Sequence, residues 1–147
     1  MAPTGTITFL FSDIEGSTRK WEQQPDAMRL ALAAHDRILR HDPNNPNWPE
    51  RDRFIMSKGH CTPLQYAILA EFGYLPVEEL STFRQKGSRL QGHSVLGKPA
   101  GVENSAGSLG MGLSFGLGIR LGLRLRGQDN HVYVLMGDGE QQEGQVW

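Results

Sequence analysis

An acidic residue between two glycines lies near the end of the chain, directly after a hydrophobic segment. Residues 131–136 (HVYVLM) have the β-branched and aromatic composition of a buried strand, and Gly137, Asp138 and Gly139 follow at once. In open α/β sheets, ligands bind at the carboxyl ends of strands. A carboxylate at that position suits Mg²⁺, which binds oxygen and keeps phosphate groups as further ligands. The same three residues also form a common tight turn, so by themselves they leave both interpretations open.

A glycine-rich segment precedes this strand. Residues 107–127 hold seven glycines among Leu, Met, Ile and Phe residues. Each glycine costs a helix about 1 kcal/mol relative to alanine. A helix that tolerates so many glycines must gain from tight packing, because the missing side chains admit another backbone. We therefore predict a helix here that is buried against the strand at 131–136.

The other predicted elements alternate between strands and helices. Strands are predicted at 6–11 and 53–56, and helices at 25–40, 62–72 and 76–83. Thr62 is expected to cap its helix, with Pro63 in the first turn. Residues 41–50 hold three prolines and three asparagines, which predict an extended connector.

The overall composition excludes several classes of protein. The 147 residues carry 15 Lys and Arg against 16 Asp and Glu, a net charge of −1. This balance gives no electrostatic reason to expect a nucleic-acid or membrane partner. The single cysteine rules out an internal disulfide and indicates a reducing compartment. The sequence shows neither an apolar run of about 20 residues nor a secretory signal, so we expect a soluble cytoplasmic protein.

Five motifs resemble, in the same order, the N-terminal diphosphate-binding part of transketolase. They are HDPNNPNWPERDRF, SKGH, GSRLQGH, GVENSAGSLGMGLS and VYVLMGDGEQQEGQVW, and they span residues 41–147. The resemblance is greatest to bacterial transketolases, including those split into two subunits. It implies a partial three-layer α/β fold that binds thiamine diphosphate and Mg²⁺, with the strand at 131–136 in the centre of its sheet. The implied reaction is two-carbon ketol transfer between sugar phosphates.

The resemblance also implies roles for individual residues. Asp138 matches the Mg²⁺ ligand that anchors thiamine diphosphate, and Gly139 lies beside the diphosphate. Gly107 and Leu109 match positions that line the cofactor. Glu143 matches an acid in a network that links the two active sites of the dimer.

Two histidines, His60 in SKGH and His93 in QGH, match residues near the reactive carbon of the cofactor and the sugar. Imidazole suits this task because it donates hydrogen bonds and exchanges a proton near neutral pH. We interpret Cys61 as a packing residue. The remaining histidines (His35, His41 and His131) are interpreted as structural, and Arg120, Arg124 and Arg126 as a solvated helix face.

The first forty residues resemble a different family, the bacterial class III nucleotide cyclases. The matching stretches are GTITFLFSDIEGSTRKWE and HDRILR. The resemblance implies that Asp13 and the backbone of Ile14 bind metal ions, although two-metal chemistry needs a second carboxylate that no residue supplies here. We therefore interpret the chain as a chimera, with a cyclase-like strand and helix at 1–40 and a transketolase-like fragment at 41–147.

Three hypotheses follow: a transketolase-type module, a nucleotide cyclase fragment, or a non-catalytic remnant. The transketolase family uses an Asn as a second Mg²⁺ ligand and a separate pyrimidine-binding domain, and neither matches a segment of this chain. We therefore expect no turnover by the chain alone, and we expect the pyrimidine-binding half on another chain. The intact family implies a homo-oligomer. Residues 1–40 are expected to pack poorly, because their sheet partners in the cyclase family are missing.

Overall fold

The computed structural model describes residues 7–11 and 39–147 of the chain. The elements are β1 (Ile7–Phe11), β2 (Arg53–Met56), α1 (Thr62–Glu71), α2 (Met111–Leu125) and β3 (Val132–Met136), with 3₁₀ turns at Gly59–Cys61, Val77–Thr82 and Gly139–Gln142. All three predicted strands are present to within one residue. The helix predicted at 25–40, apart from its last two positions, lies outside the described residues, as do Asp13 and Ile14.

The three strands form a parallel sheet in the order β1-β3-β2. Ile7 pairs with Val132 and Phe11 with Met136, so β1 pairs with β3 along its whole length. On the other side, Arg53 pairs with Val132. The prediction that β3 is central is confirmed. β1, which belongs to residues 1–40, has a sheet partner in β3.

Alternate residues of β2 and β3 face opposite layers, as the twofold period of a strand requires. One face joins α2 through a buried cluster of Ile55, Leu123, Val132, Val134 and Met136. The other face joins α1 through Met56, Cys61, Leu64, Ile68 and Leu135. The sheet is therefore covered by a helix on each face, and the predicted three-layer α/β fold is confirmed as a small, partial unit.

Helix α2 lies against the sheet at two of its glycines. A Cβ atom at Gly112 would lie 2.3 Å from Oγ of Ser57, and one at Gly116 would lie 2.6 Å from Cγ2 of Val134. Both distances are well inside van der Waals contact, so a larger residue at either position would push the helix off the sheet. The predicted tight packing of the glycine-rich helix is confirmed.

One local prediction at α1 was wrong. Thr62 does not cap α1: its hydroxyl donates to the carbonyl oxygen of Gly92, at 2.9 Å, and Cys61 occupies the capping position. Thr62 thus ties the helix to a neighbouring loop. The short helix predicted at 76–83 is present as a 3₁₀ helix over Val77–Thr82.

The arginines of α2 do not all lie on a solvated face. Arg120 is buried, and its Nη1 donates to the carbonyl oxygen of Gln128 at 3.4 Å. Arg124 and Arg126 are exposed, as predicted. Arg120 therefore joins the end of α2 to the loop that leads into β3.

At the amino end of the sheet, Asp52 lies buried between β2 and β3. Its carboxylate accepts hydrogen bonds from the backbone N–H groups of Arg40, at 3.0 Å, and His131, at 2.7 Å. The guanidinium of Arg40 also donates to it, at 3.1 and 3.3 Å. This hydrogen bond to Asp52 raises the pKa of Arg40 above its ordinary value. His131 is thus part of a structural contact, as predicted.

Candidate functional site

Strands β2 and β3 end at the same edge of the sheet because they are parallel neighbours. Residues 57–60 (SKGH) follow β2, and Gly137-Asp138-Gly139 follow β3. The backbone N–H of Ser57 donates to the carbonyl oxygen of Leu135 at 2.9 Å, which extends the pairing beyond the last residue of β2. This carboxyl edge is where α/β sheets bind ligands.

A third segment, residues 107–110 (GSLG), reaches the same edge because α2 begins there. The contact between Gly112 and Ser57 fixes the start of the helix above the end of β2. Gly110 has a φ of +80°, and a Cβ atom there would lie 3.1 Å from Cβ of Glu143. Glycine is required at this turn for both reasons. The structure therefore brings together the three predicted motifs SKGH, GSLG and GDG.

Glu140 joins these three segments through one buried side chain, which is 2% exposed. Its Oε1 accepts a hydrogen bond from the hydroxyl of Ser57 and another, at 2.8 Å, from the backbone N–H of Gly110. Its Oε2 accepts from the backbone N–H of Gly137 at 3.1 Å. Each donor belongs to a different motif, so Glu140 connects all of them. Sequence reasoning missed Glu140.

Lys58 and Cys61 lie buried beside this carboxylate. A Cβ atom at Gly137 would lie 3.3 Å from Cε of Lys58 and 3.8 Å from Cβ of Glu140. Burial raises the pKa of the Cys61 thiol; the positive charge of Lys58 opposes this and the negative charge of Glu140 adds to it. A buried thiol with a raised pKa is a poor nucleophile. The interpretation of Cys61 as a packing residue agrees with its burial.

The two predicted histidines lie on loops that meet. A Cβ atom at Gly59 would lie 2.9 Å from Cδ2 of His93 and 2.9 Å from the backbone nitrogen of Gly107. The residue next to Gly59 is His60, which is exposed, as is His93. The SKGH loop therefore touches both the QGH and the GSLG loops, and only a residue without a side chain fits at position 59.

The other predicted site residues are accessible to a ligand. Asp138, Gly139 and Glu143 are exposed after the end of β3, and Leu109 is 44% exposed ahead of α2. Gly107 is likewise exposed. Asp138 is thus held in a defined turn with its carboxylate free to meet solvent.

A cavity of about 270 Å³ opens beside these loops. Polar and apolar residues line it: Ser57, Asn104, Ser105, Ala106, Ser108, Met111, Gly112 and Phe115. Asn104 is buried, and within the described part of the chain its Oδ1 accepts no hydrogen bond. A buried amide oxygen without a partner is costly, so this atom is available to a donor group of a ligand. The cavity therefore offers a hydrogen-bond acceptor to a ligand.

Within residues 7–11 and 39–147, no group of three or more His, Cys, Asp and Glu side chains is arranged to hold a metal ion. Asp138 offers an exposed carboxylate at the end of β3. Mg²⁺ is commonly bound by one or two carboxylates, with substrate phosphates and waters as its other ligands. The donor set fits a magnesium ion that arrives with a diphosphate.

The fold and the site define a class of protein: a three-layer α/β domain whose glycine-lined loops and exposed carboxylate meet at the carboxyl edge of a parallel sheet. The chain belongs to the transketolase N-terminal family, since the family model described as "Transketolase, thiamine diphosphate binding domain" matches residues 24–146. The match begins ahead of His41 and excludes Asp13 and Ile14. In the parts of the chain that the structure describes, no helix is long and apolar enough to cross a membrane.

Similar proteins include transketolase subunits as well as proteins named transketolase. The 6-deoxy-6-sulfo-D-fructose transketolase subunit of a Clostridium species is 43% identical over 118 residues, which cover 80% of this chain and 43% of that protein. An apulose-4-phosphate transketolase subunit of Actinobacillus succinogenes is 43% identical, over 82% of this chain and 44% of that protein. Transketolase 1 of Escherichia coli is 42% identical, over 73% of this chain and 18% of that protein. The chain thus spans less than half of these relatives.

Solved transketolase structures share the fold. The transketolase of Pichia stipitis in complex with sedoheptulose 7-phosphate superimposes with a TM-score of 0.74 and 38% identity, over 80% of this chain and 19% of that one. The enzyme of Campylobacter jejuni gives a TM-score of 0.72 and 35% identity, over 80% and 19%.

Proposed function

We propose that this chain is the diphosphate-binding module of a transketolase-type enzyme that transfers two-carbon ketol groups between sugar phosphates. The observation that carries the proposal is the meeting of SKGH, GSLG and GDG around Glu140, with Asp138 exposed beside them. Family membership supports the cofactor, thiamine diphosphate. The chain spans less than half the length of these relatives, which supports its role as one module of a larger enzyme.

Asp138 is proposed to hold Mg²⁺, and the phosphates of the cofactor would complete the metal's coordination. Gly139 leaves room for the diphosphate beside that ion, because it carries no side chain. Gly107 and Leu109, both exposed in the GSLG loop, are proposed to line the cofactor. The bound cofactor would supply the stabilised carbanion that two-carbon transfer needs.

His60 and His93 are proposed to act on the sugar. Both are exposed on loops that meet at Gly59, which leaves both imidazoles open to a ligand. Each ring can donate a hydrogen bond to a sugar hydroxyl and exchange a proton near neutral pH. Glu143 is exposed and is proposed to belong to a network that crosses to a second copy in the assembled enzyme.

The proposed partner is a pyrimidine-binding half carried by another chain or by a further part of this protein. Two similar proteins are named as subunits, which supports an enzyme built from more than one chain. We propose further that the 147 residues alone do not transfer ketol groups, because the family model that they match is the thiamine diphosphate binding domain and the pyrimidine-binding half is needed to complete the site. Two-carbon transfer from xylulose 5-phosphate by the purified chain, measured with an aldose phosphate acceptor, would contradict this.

Calorimetry separates the proposed function from its alternatives. The purified chain is titrated with thiamine diphosphate and, separately, with ATP, each in the presence of Mg²⁺. We expect heat of binding with thiamine diphosphate and none with ATP. Binding of ATP that is lost in Asp13→Ala would favour the cyclase hypothesis, and the absence of binding to either ligand would favour a non-catalytic remnant.

A further inference from the structure

We propose that Glu140 is a positioning residue that sets the GDG turn relative to the other two loops of the site. This inference rests on the proposed function, since it assigns to Glu140 the placement of the Asp138 carboxylate. Glu140 is only 2% exposed. It therefore acts through the groups that donate hydrogen bonds to it.

Three groups donate hydrogen bonds to the carboxylate of Glu140. The Ser57 hydroxyl and the Gly110 N–H share Oε1, and the Gly137 N–H takes Oε2. All three groups are donors, so both terminal atoms of the side chain at position 140 must be hydrogen-bond acceptors. A carboxylate does so with both oxygens, and among the side chains only Asp and Glu have this property.

Each hydrogen bond to Glu140 fixes one segment of the site. Gly137 directly precedes Asp138, so its bond to Glu140 sets where the turn leaves β3. Gly110 ends the GSLG loop, and its bond sets the start of α2. Ser57 begins the SKGH loop. One side chain thus couples three segments that are distant in sequence.

Glutamine is the informative substitution because it keeps the size of the side chain. In Glu140→Gln, one oxygen becomes an NH₂ group, which cannot accept. Whichever way the amide turns, either the Gly110 N–H or the Gly137 N–H faces another donor and loses its partner. A buried donor without an acceptor is costly, so the affected loop is expected to move.

Backbone amide exchange, measured by NMR on the full chain without ligand, tests this directly. In the unmodified chain we expect the Gly110 and Gly137 amides to be protected. In Glu140→Gln we expect at least one of them to exchange about tenfold faster or more. The Tyr74 amide, bonded to the Leu69 carbonyl at 2.8 Å far from the site, should be unchanged. Glu71→Gln, at an exposed position, is the isosteric control and should change neither amide.

Titration with thiamine diphosphate and Mg²⁺ tests the consequence for binding. Glu140→Gln should weaken binding about tenfold or more at a temperature where circular dichroism shows it folded. Leu75→Ala, in the core cluster around α1, is a control that lowers stability without touching the loops and should bind as the unmodified chain does. This comparison separates positioning from a general loss of stability.

Each outcome decides a different claim. Unprotected Gly110 and Gly137 amides in the unmodified chain would overturn the inference, and that measurement requires no variant to fold. Unchanged exchange and unchanged binding in Glu140→Gln would also overturn it. If the unmodified chain fails to bind thiamine diphosphate, the proposed function fails, while the exchange data still decide whether Glu140 fixes the turn.

Discussion

The two ends of the sheet each bury a carboxylate, and they hold it in different ways. At the amino end, Asp52 is paired with the guanidinium of Arg40 and with two backbone N–H groups. At the carboxyl end, Glu140 receives two backbone N–H groups and the hydroxyl of Ser57. Both side chains are about equally buried.

This difference suggests different roles: the amino end of the sheet serves stability, and the carboxyl end also serves ligand binding. The amino end is closed: Asn130 donates to the carbonyl oxygens of Pro49 and Arg51, both at 2.7 Å, and Asp52 ties β2 to β3. The carboxyl end uses its buried carboxylate to hold loop backbone and leaves Asp138 exposed. We therefore expect changes at the amino end to alter stability alone, and changes at the carboxyl end to alter ligand binding as well.

The largest expected effect is at the amino end. Asp52→Ala should lower the free energy of unfolding by about 3 kcal/mol, because it leaves Arg40 and the His131 N–H without their shared acceptor. Binding of thiamine diphosphate to the folded protein should be unchanged. Denaturant unfolding and calorimetry measure the two quantities.

Asp129→Ala is the matched control for Asp52. Its carboxylate lies 3.7 Å from the same guanidinium but its side chain is 82% exposed, so it should change stability by less than about 0.5 kcal/mol. Equal effects of the two substitutions would contradict the structural role that we assign to the buried carboxylate of Asp52.

The next effect concerns the helix that carries GSLG. Gly112→Ala should cost about 2 kcal/mol, because its methyl group would collide with Ser57. Gly118→Ala, in the same helix with open space around it, should stabilise by up to about 1 kcal/mol through helix propensity. Thermal unfolding of both variants measures this. A similar cost at both positions would show that α2 does not approach the sheet as described.

The smallest effect concerns a surface ion pair. Its contribution to stability is the reference against which those of the two buried carboxylates are compared. Arg89 donates to Glu79 at 2.6 and 2.7 Å, and this hydrogen bonding lowers the pKa of Glu79 below its ordinary 4.5. A lowered folded-state pKa means that the pair stabilises the protein above pH 4.5, and that this contribution is lost as the pH falls through the lowered value.

Arg89→Gln should therefore cost less than about 1 kcal/mol near neutral pH, and the cost should shrink in acid. Unfolding midpoints at about pH 7 and about pH 3 measure the change. Lys86→Gln, an exposed neighbour, is the control. A cost of Arg89→Gln that grows on acidification would contradict the predicted direction of the pH dependence.

Local sequence patterns predicted much of the fold. The composition of β2 and β3 identified both strands, and the excess of glycine in α2 indicated a close approach that Gly112 and Gly116 make. Thr62 and Arg120 were predicted wrongly, because a hydroxyl or a guanidinium can find a partner in a distant loop as easily as a local one. Such partners are set by tertiary contacts and leave no periodic signal.

The site was predicted unevenly for a similar reason. Asp138 and the glycines beside it follow a strand, so their position at the sheet edge can be read from the sequence. Glu140 is one of several acidic and amide residues after the turn, and its burial depends on Ser57 and Gly110 from distant parts of the chain. The available signal was its spacing of three from Gly137, which lets a carboxylate reach back to a backbone N–H, as in a capping box.

We propose that Asp138 binds a magnesium-bound diphosphate at the carboxyl edge of the sheet. Calorimetric titration of the unmodified chain and of Asp138→Asn with thiamine diphosphate and Mg²⁺ tests it most directly, with Asp129→Asn as the isosteric control. The account predicts binding by the unmodified chain and the control, and no measurable heat for Asp138→Asn. Equal binding by all three proteins would contradict it.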